Sequence, residues 1–222
     1  MSKKAVVLFS GGRDSFLTAI RCIESEYETH LLFLTHGSMV ATDNVEATAN
    51  RLISAYGNER VKYVSKGMFS IFHGLRSSWY NTPISTLVLK YPGLSMNQLN
   101  CLTCHCAMMA SAIRYCCDNE ITALFEGMRY SQQFMSQQKE ALKAYRMLTA
   151  KFGIQLRCPV SDIDDDYIVK MLIADTGLLP KVQEAQCYLG CPMKKELDTV
   201  ERQSLSAFLE DVLCPIVLEY CK

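Results

Sequence analysis

Charge of one sign is what the 222-residue sequence most clearly lacks, because its 23 basic and 23 acidic side chains balance. This balance argues against a strongly electrostatic, sequence-independent grip on nucleic acid. The sequence also has no apolar run near the ~18 residues that a membrane span requires. Its short apolar N-terminal stretch continues into glycines and charged residues rather than a cleavage site. We therefore expect a cytoplasmic chain without a membrane span or a secretory signal.

Internal repeats, low-complexity stretches and linkers are absent as well. With 49% hydrophobic and 21% charged residues, the composition excludes a disordered or collagenous chain. A chain of this length buries roughly 70% of the surface that its unfolded form exposes, so it can build a core without disulfides. The sequence predicts one domain over residues 1–177 and a small C-terminal extension, containing cysteines and a helix, over residues 178–222.

Cysteine, in contrast, is abundant, with eleven residues. An odd number with uneven spacing is not typical of a disulfide scaffold, and clustered cysteines in a cytoplasmic chain more often indicate a metal site or reactive thiols. The candidate metal ligands are Cys101, Cys104, Cys106, Cys187 and Cys191. The remaining six lie among apolar neighbours and are expected to act as small buried hydrophobes: Cys22, Cys116, Cys117, Cys158, Cys214 and Cys221.

Apolar runs typical of buried strands alternate with segments of helical periodicity. Such alternation predicts parallel βαβ units and an α/β fold with a doubly wound, mostly parallel sheet. Residues 66–100 are less regular and predict a helix followed by a long loop. The predicted strands are 4–9, 30–35, 60–64, 121–125 and 154–159, and the later predicted helices are 44–56, 107–117, 137–152, 164–176 and 204–220.

The strongest local pattern is Ser-Gly-Gly-Arg-Asp-Ser over residues 10–15, directly between the first strand and the first helix. Two adjacent glycines let the backbone turn tightly and approach a ligand. The N–H groups there and at the helix start form an anion site, which the serine hydroxyls extend. Asp14 is suited to hold Mg²⁺ against phosphates. The pattern is neither a Walker sequence nor G-x-G-x-x-G, yet it predicts a phosphate-binding loop.

The segment AVVLFSGGRDS resembles the PP-loop ATP pyrophosphatases, whose signature is S-G-G-x-D-S after the first strand. The resemblance implies a Rossmann-like fold of the adenine nucleotide alpha hydrolase type. It also implies chemistry in which ATP is split between its α- and β-phosphates and AMP is transferred to a carbonyl oxygen of the substrate. It places Asp14 and Ser15 in catalysis and Thr35 beside the adenine. The residues that it implies for pyrophosphate and Mg²⁺ are Ser10, Gly11, Gly12, Asp14 and Ser15.

The stretch from Cys101 to Leu142 resembles a segment of PP-loop enzymes that transfer sulfur to tRNA, the 4-thiouridine and 2-thiocytidine synthetases. It contains CxxC, a helix, a strand that ends at Gly127, and a Q-x-x-S-Q element. In the 2-thiocytidine type, CxxC and one distant cysteine hold a [4Fe–4S] cluster with an open iron. The resemblance therefore implies cluster ligands among Cys101, Cys104 and either Cys187 or Cys191, a catalytic part for Cys104 and Cys187, and a nucleotide-binding part for Gly127.

Two other interpretations stay open at this point. A weaker resemblance is to the 7-cyano-7-deazaguanine synthases of queuosine biosynthesis, which form a nitrile on a small molecule and hold zinc through four cysteines. The five clustered thiols permit either an iron–sulfur cluster or a structural zinc. A non-catalytic nucleotide-binding or redox-sensing module is the third possibility. The substrate is then tRNA or a small nucleobase-type molecule, and the family resemblance implies a homodimer.

Overall fold

A parallel five-stranded sheet forms the centre of the computed structural model, which describes residues 3–179, 184–187 and 196–222. The described residues contain seven strands: β1 (Lys3–Leu8), β2 (Tyr27–Thr35), β3 (Met39–Val40), β4 (Val61–Gly67), β5 (Ala123–Glu126), β6 (Gln155–Arg157) and β7 (Gln186–Cys187). The order in the main sheet is β4-β2-β1-β5-β6, and all its pairings are parallel. The short strands β3 and β7 pair antiparallel to each other.

The strand order reverses at β1, which pairs with β2 on one side and with β5 on the other. In open α/β sheets, ligands bind at the carboxyl ends of the strands where the order reverses. The loop that follows β1, residues 9–12, therefore lies at the position where this fold class places a ligand.

Helices connect and cover the strands, as the alternation of the sequence predicts. The described residues form α1 (Arg13–Glu24), α2 (Asp43–Tyr56), α3 (Phe69–Tyr80), α4 (Ile84–Lys90), α5 (Met96–Asp118), α6 (Lys139–Ala150), α7 (Asp166–Ala174), α8 (Thr199–Phe208) and α9 (Cys214–Tyr220). Among these elements none is long and apolar enough to cross a bilayer.

Both faces of the sheet are buried, which explains why β1 has a continuous apolar run. Val6 and Leu8 point into one core, with α3, α5, α6, α8 and α9. Val7 and Phe9 point into the other, with α1, α2 and α7. The alternation of side chains along a strand thus divides β1 between two cores of unequal size.

The helix predicted within residues 66–100 is confirmed as α3, but the long loop predicted after it is wrong, because α4 and the start of α5 lie there. Ser95 caps α5 by accepting from the Gln98 N–H at 3.3 Å, and the Gln98 side chain accepts from the Ser95 N–H at 2.7 Å. The start of α5 was missed because buried polar residues interrupt its apolar periodicity. The CxxC cysteines consequently lie within a helix instead of preceding it. The polar residues concerned are Gln98, Asn100 and Thr103.

Residues 196–222 pack against the larger core. Phe208 is fully buried between the rings of Trp79 and Tyr91, at centroid distances of 5.8 and 5.2 Å. The predicted helix over 204–220 is confirmed; it begins earlier, at Thr199, and contains a π-helical segment at Leu209–Leu213 between α8 and α9. Pro215 follows this segment, and proline interrupts the hydrogen bonding of a continuous helix because it has no N–H. The boundary between 177 and 178 stays a prediction.

Candidate functional site: the phosphate loop and the thiols around it

The loop after β1 has the geometry of an anion-binding loop. Gly11 has φ of +78°, a left-handed conformation that favours glycine, and Gly12 precedes the first turn of α1. The Ser10 N–H donates to Ser15 Oγ at 3.3 Å, and Ser15 Oγ donates to the Gly12 carbonyl at 2.9 Å. The two hydroxyls lie 3.2 Å apart. The N–H groups of the first helical turn have no partner within the helix and carry the positive end of its dipole.

Gly127 lies directly against this loop at the end of β5. A Cβ added to Gly127 would lie 2.7 Å from the Ser15 nitrogen and 2.8 Å from the Asp14 carbonyl carbon. Because both of these atoms belong to the backbone, they cannot move aside as a flexible side chain could. Glycine is therefore required here by close packing against the loop, and its proposed contact with nucleotide stays a prediction.

A buried guanidinium holds Asp14 in place. Arg129 is 2% exposed, and its Nε lies 2.9 Å from Asp14 Oδ1. Its other end pairs with Asp166, and Gln132 Nε2 donates to Asp14 Oδ2 at 2.6 Å. Burial raises the pKa of Asp14, and the charge of Arg129 opposes that shift. Arg13 completes the network with a 3.9 Å contact to Asp166. The Asp14 carboxylate is thus oriented before any cation binds.

The Glu184 carboxyl covers the phosphate loop. Ser10 Oγ donates to Glu184 Oε1 at 3.2 Å, and a Cβ at Gly12 would lie 2.9 Å from Glu184 Cδ. The neighbouring Ala185 N–H donates to the Ser10 carbonyl at 3.4 Å. Burial raises the pKa of Glu184, a shift that the Ser10 hydrogen bond opposes and the Asp14 charge reinforces. A carboxylate oxygen therefore occupies a place where the loop would otherwise contact a phosphate oxygen.

Two of the predicted cysteines come together beside the loop. β7 places Cys187 opposite Met39 of β3, just beyond β2. Burial raises the pKa of the Cys104 thiol to about 12, and Cys187 adds to this shift. Cys104 is therefore protonated near neutral pH.

His36 is a site residue that the sequence analysis missed. Its Nε2 lies 3.4 Å from Cys187 Sγ, and its Nδ1 accepts from the Ser38 N–H at 3.3 Å. Burial lowers the pKa of His36, which favours the neutral ring. An Nδ1 that accepts leaves the proton on Nε2, so His36 donates toward the sulfur and stabilises negative charge on it. Only its position directly after Thr35, at the end of a buried strand, gave a signal in the sequence.

The other predicted ligands are placed differently. Cys101 is one turn before Cys104 on α5 and donates toward Ser136 Oγ at 3.8 Å. Cys106 is fully buried in the larger core and lies about 200° around α5 from Cys104. Cys191 lies outside the described residues. Within the described part of the chain, no three His, Cys, Asp or Glu side chains are grouped as a metal would require.

A buried pair ties the CxxC helix to the sheet. His105 Nε2 lies 2.6 Å from Glu126 Oε1, and the His105 ring packs on Tyr145 at a centroid distance of 4.7 Å. Glu126 is the last residue of β5, directly before Gly127. The pair therefore links the position of Cys104 to that of the phosphate loop. Thr35 ends β2 and accepts from the Gly37 N–H at 3.3 Å, and its predicted place beside adenine stays a prediction.

No family model matches the sequence, and no curated protein matches it either. Solved structures match in fold. A 4-thiouridine synthetase in complex with RNA and ATP has a TM-score of 0.64 at 14% identity, over 99% of this chain and 53% of that chain. This chain thus spans about half the length of that synthetase. NMN synthetase from Francisella tularensis has a TM-score of 0.55 at 12% identity, over 99% of this chain and 84% of that chain.

These likenesses confirm the predicted fold class. The parallel sheet flanked by helices is the α/β, Rossmann-like architecture that the sequence predicts. At 12–14% identity the likeness establishes the fold and nothing finer.

Replacing Gly127 by alanine is expected to distort the phosphate loop. The added methyl must displace backbone at Ser15, and overpacking of this kind costs about 1–3 kcal/mol. Urea unfolding should show that loss, and calorimetric titration should show weaker binding of MgATP. Gly67→Ala is the matched control, because a Cβ there meets nothing within 4 Å. Equal stability and equal ATP affinity for the two variants would contradict the packing requirement.

Replacing Glu184 by glutamine is expected to tighten the binding of MgATP. The substitution removes a negative charge from the phosphate loop while keeping the side-chain size. Like charges at a half-exposed site cost on the order of 1 kcal/mol, which corresponds to about fivefold in affinity. Titration calorimetry measures the change. Glu24→Gln, at the far exposed end of α1, makes the same charge change away from the loop. Weaker binding by Glu184→Gln would show that the carboxylate assists the nucleotide.

Proposed function

We propose that this chain is an ATP-dependent enzyme that adenylates a carbonyl oxygen of a nucleobase-type substrate and replaces that oxygen with sulfur. The single observation that supports both halves is the short segment that carries Glu184 over the Ser10–Ser15 phosphate loop and Cys187 beside His36. The residues from Glu184 to Cys187 run from the loop to the thiols. Three residues of chain span at most about 10 Å, a separation within the length of one nucleotide.

The loop supports the first half of the reaction. Its N–H groups and the hydroxyls of Ser10 and Ser15 would bind the pyrophosphate part of ATP, and Asp14 would share Mg²⁺ with those phosphates. The substrate oxygen attacks the α-phosphorus, the bond between the α- and β-phosphates breaks, and pyrophosphate leaves. A carbonyl oxygen is a poor leaving group, whereas the adenylated oxygen departs as AMP. The contribution of the protein is positioning and charge neutralisation.

The thiols support the second half. A persulfide donor would load Cys187, whose sulfur receives the His36 hydrogen bond. The terminal persulfide sulfur attacks the activated carbon, and AMP leaves with the original oxygen. Cys104 then attacks the inner sulfur of Cys187, and its proton passes to the departing product. The thiocarbonyl product is released and a Cys104–Cys187 disulfide forms, which an external dithiol reduces. The zero-valent sulfur gains the two electrons that the two thiols lose.

An iron–sulfur cluster or a zinc ion stays a prediction. The described residues assemble only two of the five proposed thiols, and Cys106 faces the core. The sulfur-transfer steps above do not depend on a cluster or on zinc. Anaerobic purification followed by metal analysis tests the prediction, because a brown protein containing iron supports the cluster and a colourless protein with one zinc supports the structural zinc of the deazaguanine type.

Asp14→Ala is expected to abolish the release of pyrophosphate from ATP in the presence of substrate. The substitution removes the carboxylate that would hold Mg²⁺ and leaves Arg129 to repel the cation, so a loss of at least about a hundredfold is expected. Unmodified tRNA and free nucleobases should be supplied in parallel to a coupled pyrophosphate assay. Asp175→Ala is an exposed control at the end of α7. A wild-type chain that releases no pyrophosphate with either substrate class would refute the adenylation.

Cys104→Ser and Cys187→Ser are each expected to lose the thiolated product while still releasing pyrophosphate. Cys106→Ser, in the core, should keep the product and serves as the control. His36→Ala should lower product formation roughly 10- to 100-fold, which is the effect of losing one hydrogen bond to a charged group. His36→Gln should restore part of the product formation, because the glutamine amide can donate a hydrogen bond to the sulfur. Mass spectrometry of the substrate measures sulfur incorporation. Full product formation by Cys187→Ser would exclude the proposed sulfur carrier.

A further inference from the structure

Basic side chains are segregated within this electrically neutral chain. Residues 127–157 contain six arginines and lysines and a single acidic residue, Glu140. Glu140 contacts Arg202 of α8 at 2.9 Å, so its charge is already paired. Helix α6 carries three of these cations on exposed positions spaced by four and three residues, which is one face of a helix. They are Lys139, Lys143 and Arg146.

A groove of about 490 Å³ runs along this face of α6. Its cationic wall is formed by the three basic residues, and its apolar lining includes Tyr130, Leu142, Met147 and Ala150. Met147 is 44% exposed, so its side chain adds apolar surface to the groove. The groove therefore combines regularly spaced positive charge with apolar surface.

The groove begins beside the phosphate loop. Lys139 Nζ lies 5.8 Å from the centre of the Tyr130 ring. Tyr130 starts the short turn Tyr130–Gln132, and Gln132 at its end donates to Asp14 at 2.6 Å. The groove and Asp14 are thus separated by only the short turn Tyr130–Gln132.

We propose that this groove binds a single-stranded polynucleotide segment of the substrate and leads its reacting base toward the phosphate loop. Lys139 and Arg146 are seven residues apart, about 10 Å along the helix axis. A stacked strand places one phosphate per ~3.4 Å, so the face of α6 matches about three successive phosphates. Tyr130 and Met147 offer flat or apolar contact to a base or ribose between them. A free nucleobase is too small to use three cations over this length.

The proposal depends on the proposed function for the identity of the base, and the binding itself can be measured separately. The probes are a fluorescein-labelled oligouridylate, an oligodeoxyuridylate of equal length, and MgATP. The groove variant is Lys139→Glu, Lys143→Glu and Arg146→Glu together. The matched control is Lys3→Glu, Lys4→Glu and Lys222→Glu, three exposed residues away from the groove with the same change of net charge.

The groove variant is expected to bind the oligouridylate at least about tenfold more weakly. The slope of log affinity against log salt concentration should become smaller in magnitude by about 2, because three phosphate contacts are lost. The control and the affinity for MgATP should stay unchanged. Comparison of the two oligonucleotides shows whether the ribose 2′-hydroxyl is recognised. Should the triple variant fail to fold, Lys143→Ala and Arg146→Ala singly should each lower the slope by about 0.7.

Unchanged oligonucleotide binding by the groove variant, or equal loss in the control, overturns the proposal. Failure of the proposed function gives a different result. In that case the wild-type chain binds the oligonucleotide through the groove but releases no pyrophosphate with any substrate. Conversely, release of pyrophosphate with a free nucleobase, together with no binding of either oligonucleotide, would support the proposed activity and overturn the proposed role of the groove.

Discussion

The close approach of Gly127 to the first turn of α1 is the contact on which the rest of the site depends. β1 and β5 are neighbours at the point where the strand order reverses, and their ends must leave room for a ligand. The missing Cβ at Gly127 lets the β5 end lie against Ser15 backbone without displacing it. Arg129, two residues after Gly127, can then contact the Asp14 carboxylate. One packing requirement thus places the loop, its carboxylate and its counter-charge together.

The thiols reach this site by two independent routes. Helix α5 carries Cys104, and the pair between His105 and Glu126 joins that helix to the end of β5. Cys187 arrives on a separate segment that pairs with β3. The sulfur chemistry proposed here therefore requires the same core that orders the phosphate loop. Loss of either support would separate the thiols from the phosphate loop.

The net charge of the chain does not show that basic side chains are concentrated on one face of α6. The balance of 23 basic and 23 acidic residues argues against a strong, non-specific grip on nucleic acid. It does not describe how charges are distributed, and α6 gathers three cations on one face while Glu140 turns to Arg202. A local groove of this kind can orient a polynucleotide without making the whole chain basic. The groove is then expected to contribute both affinity for the polynucleotide and its orientation.

The sequence by itself determined the features that are encoded in contiguous residues. The hexapeptide of the phosphate loop, the two-sided burial of β1 and the alternation of strands and helices follow from local backbone preferences and periodicity, and each agrees with the structure. Only the tertiary structure decided the start of α5, the approach of Cys187 to His36, the burial of Cys106 and the pairing of Arg129 with Asp14. These depend on strand order and on contacts between residues far apart in the chain, for which local propensity carries no information.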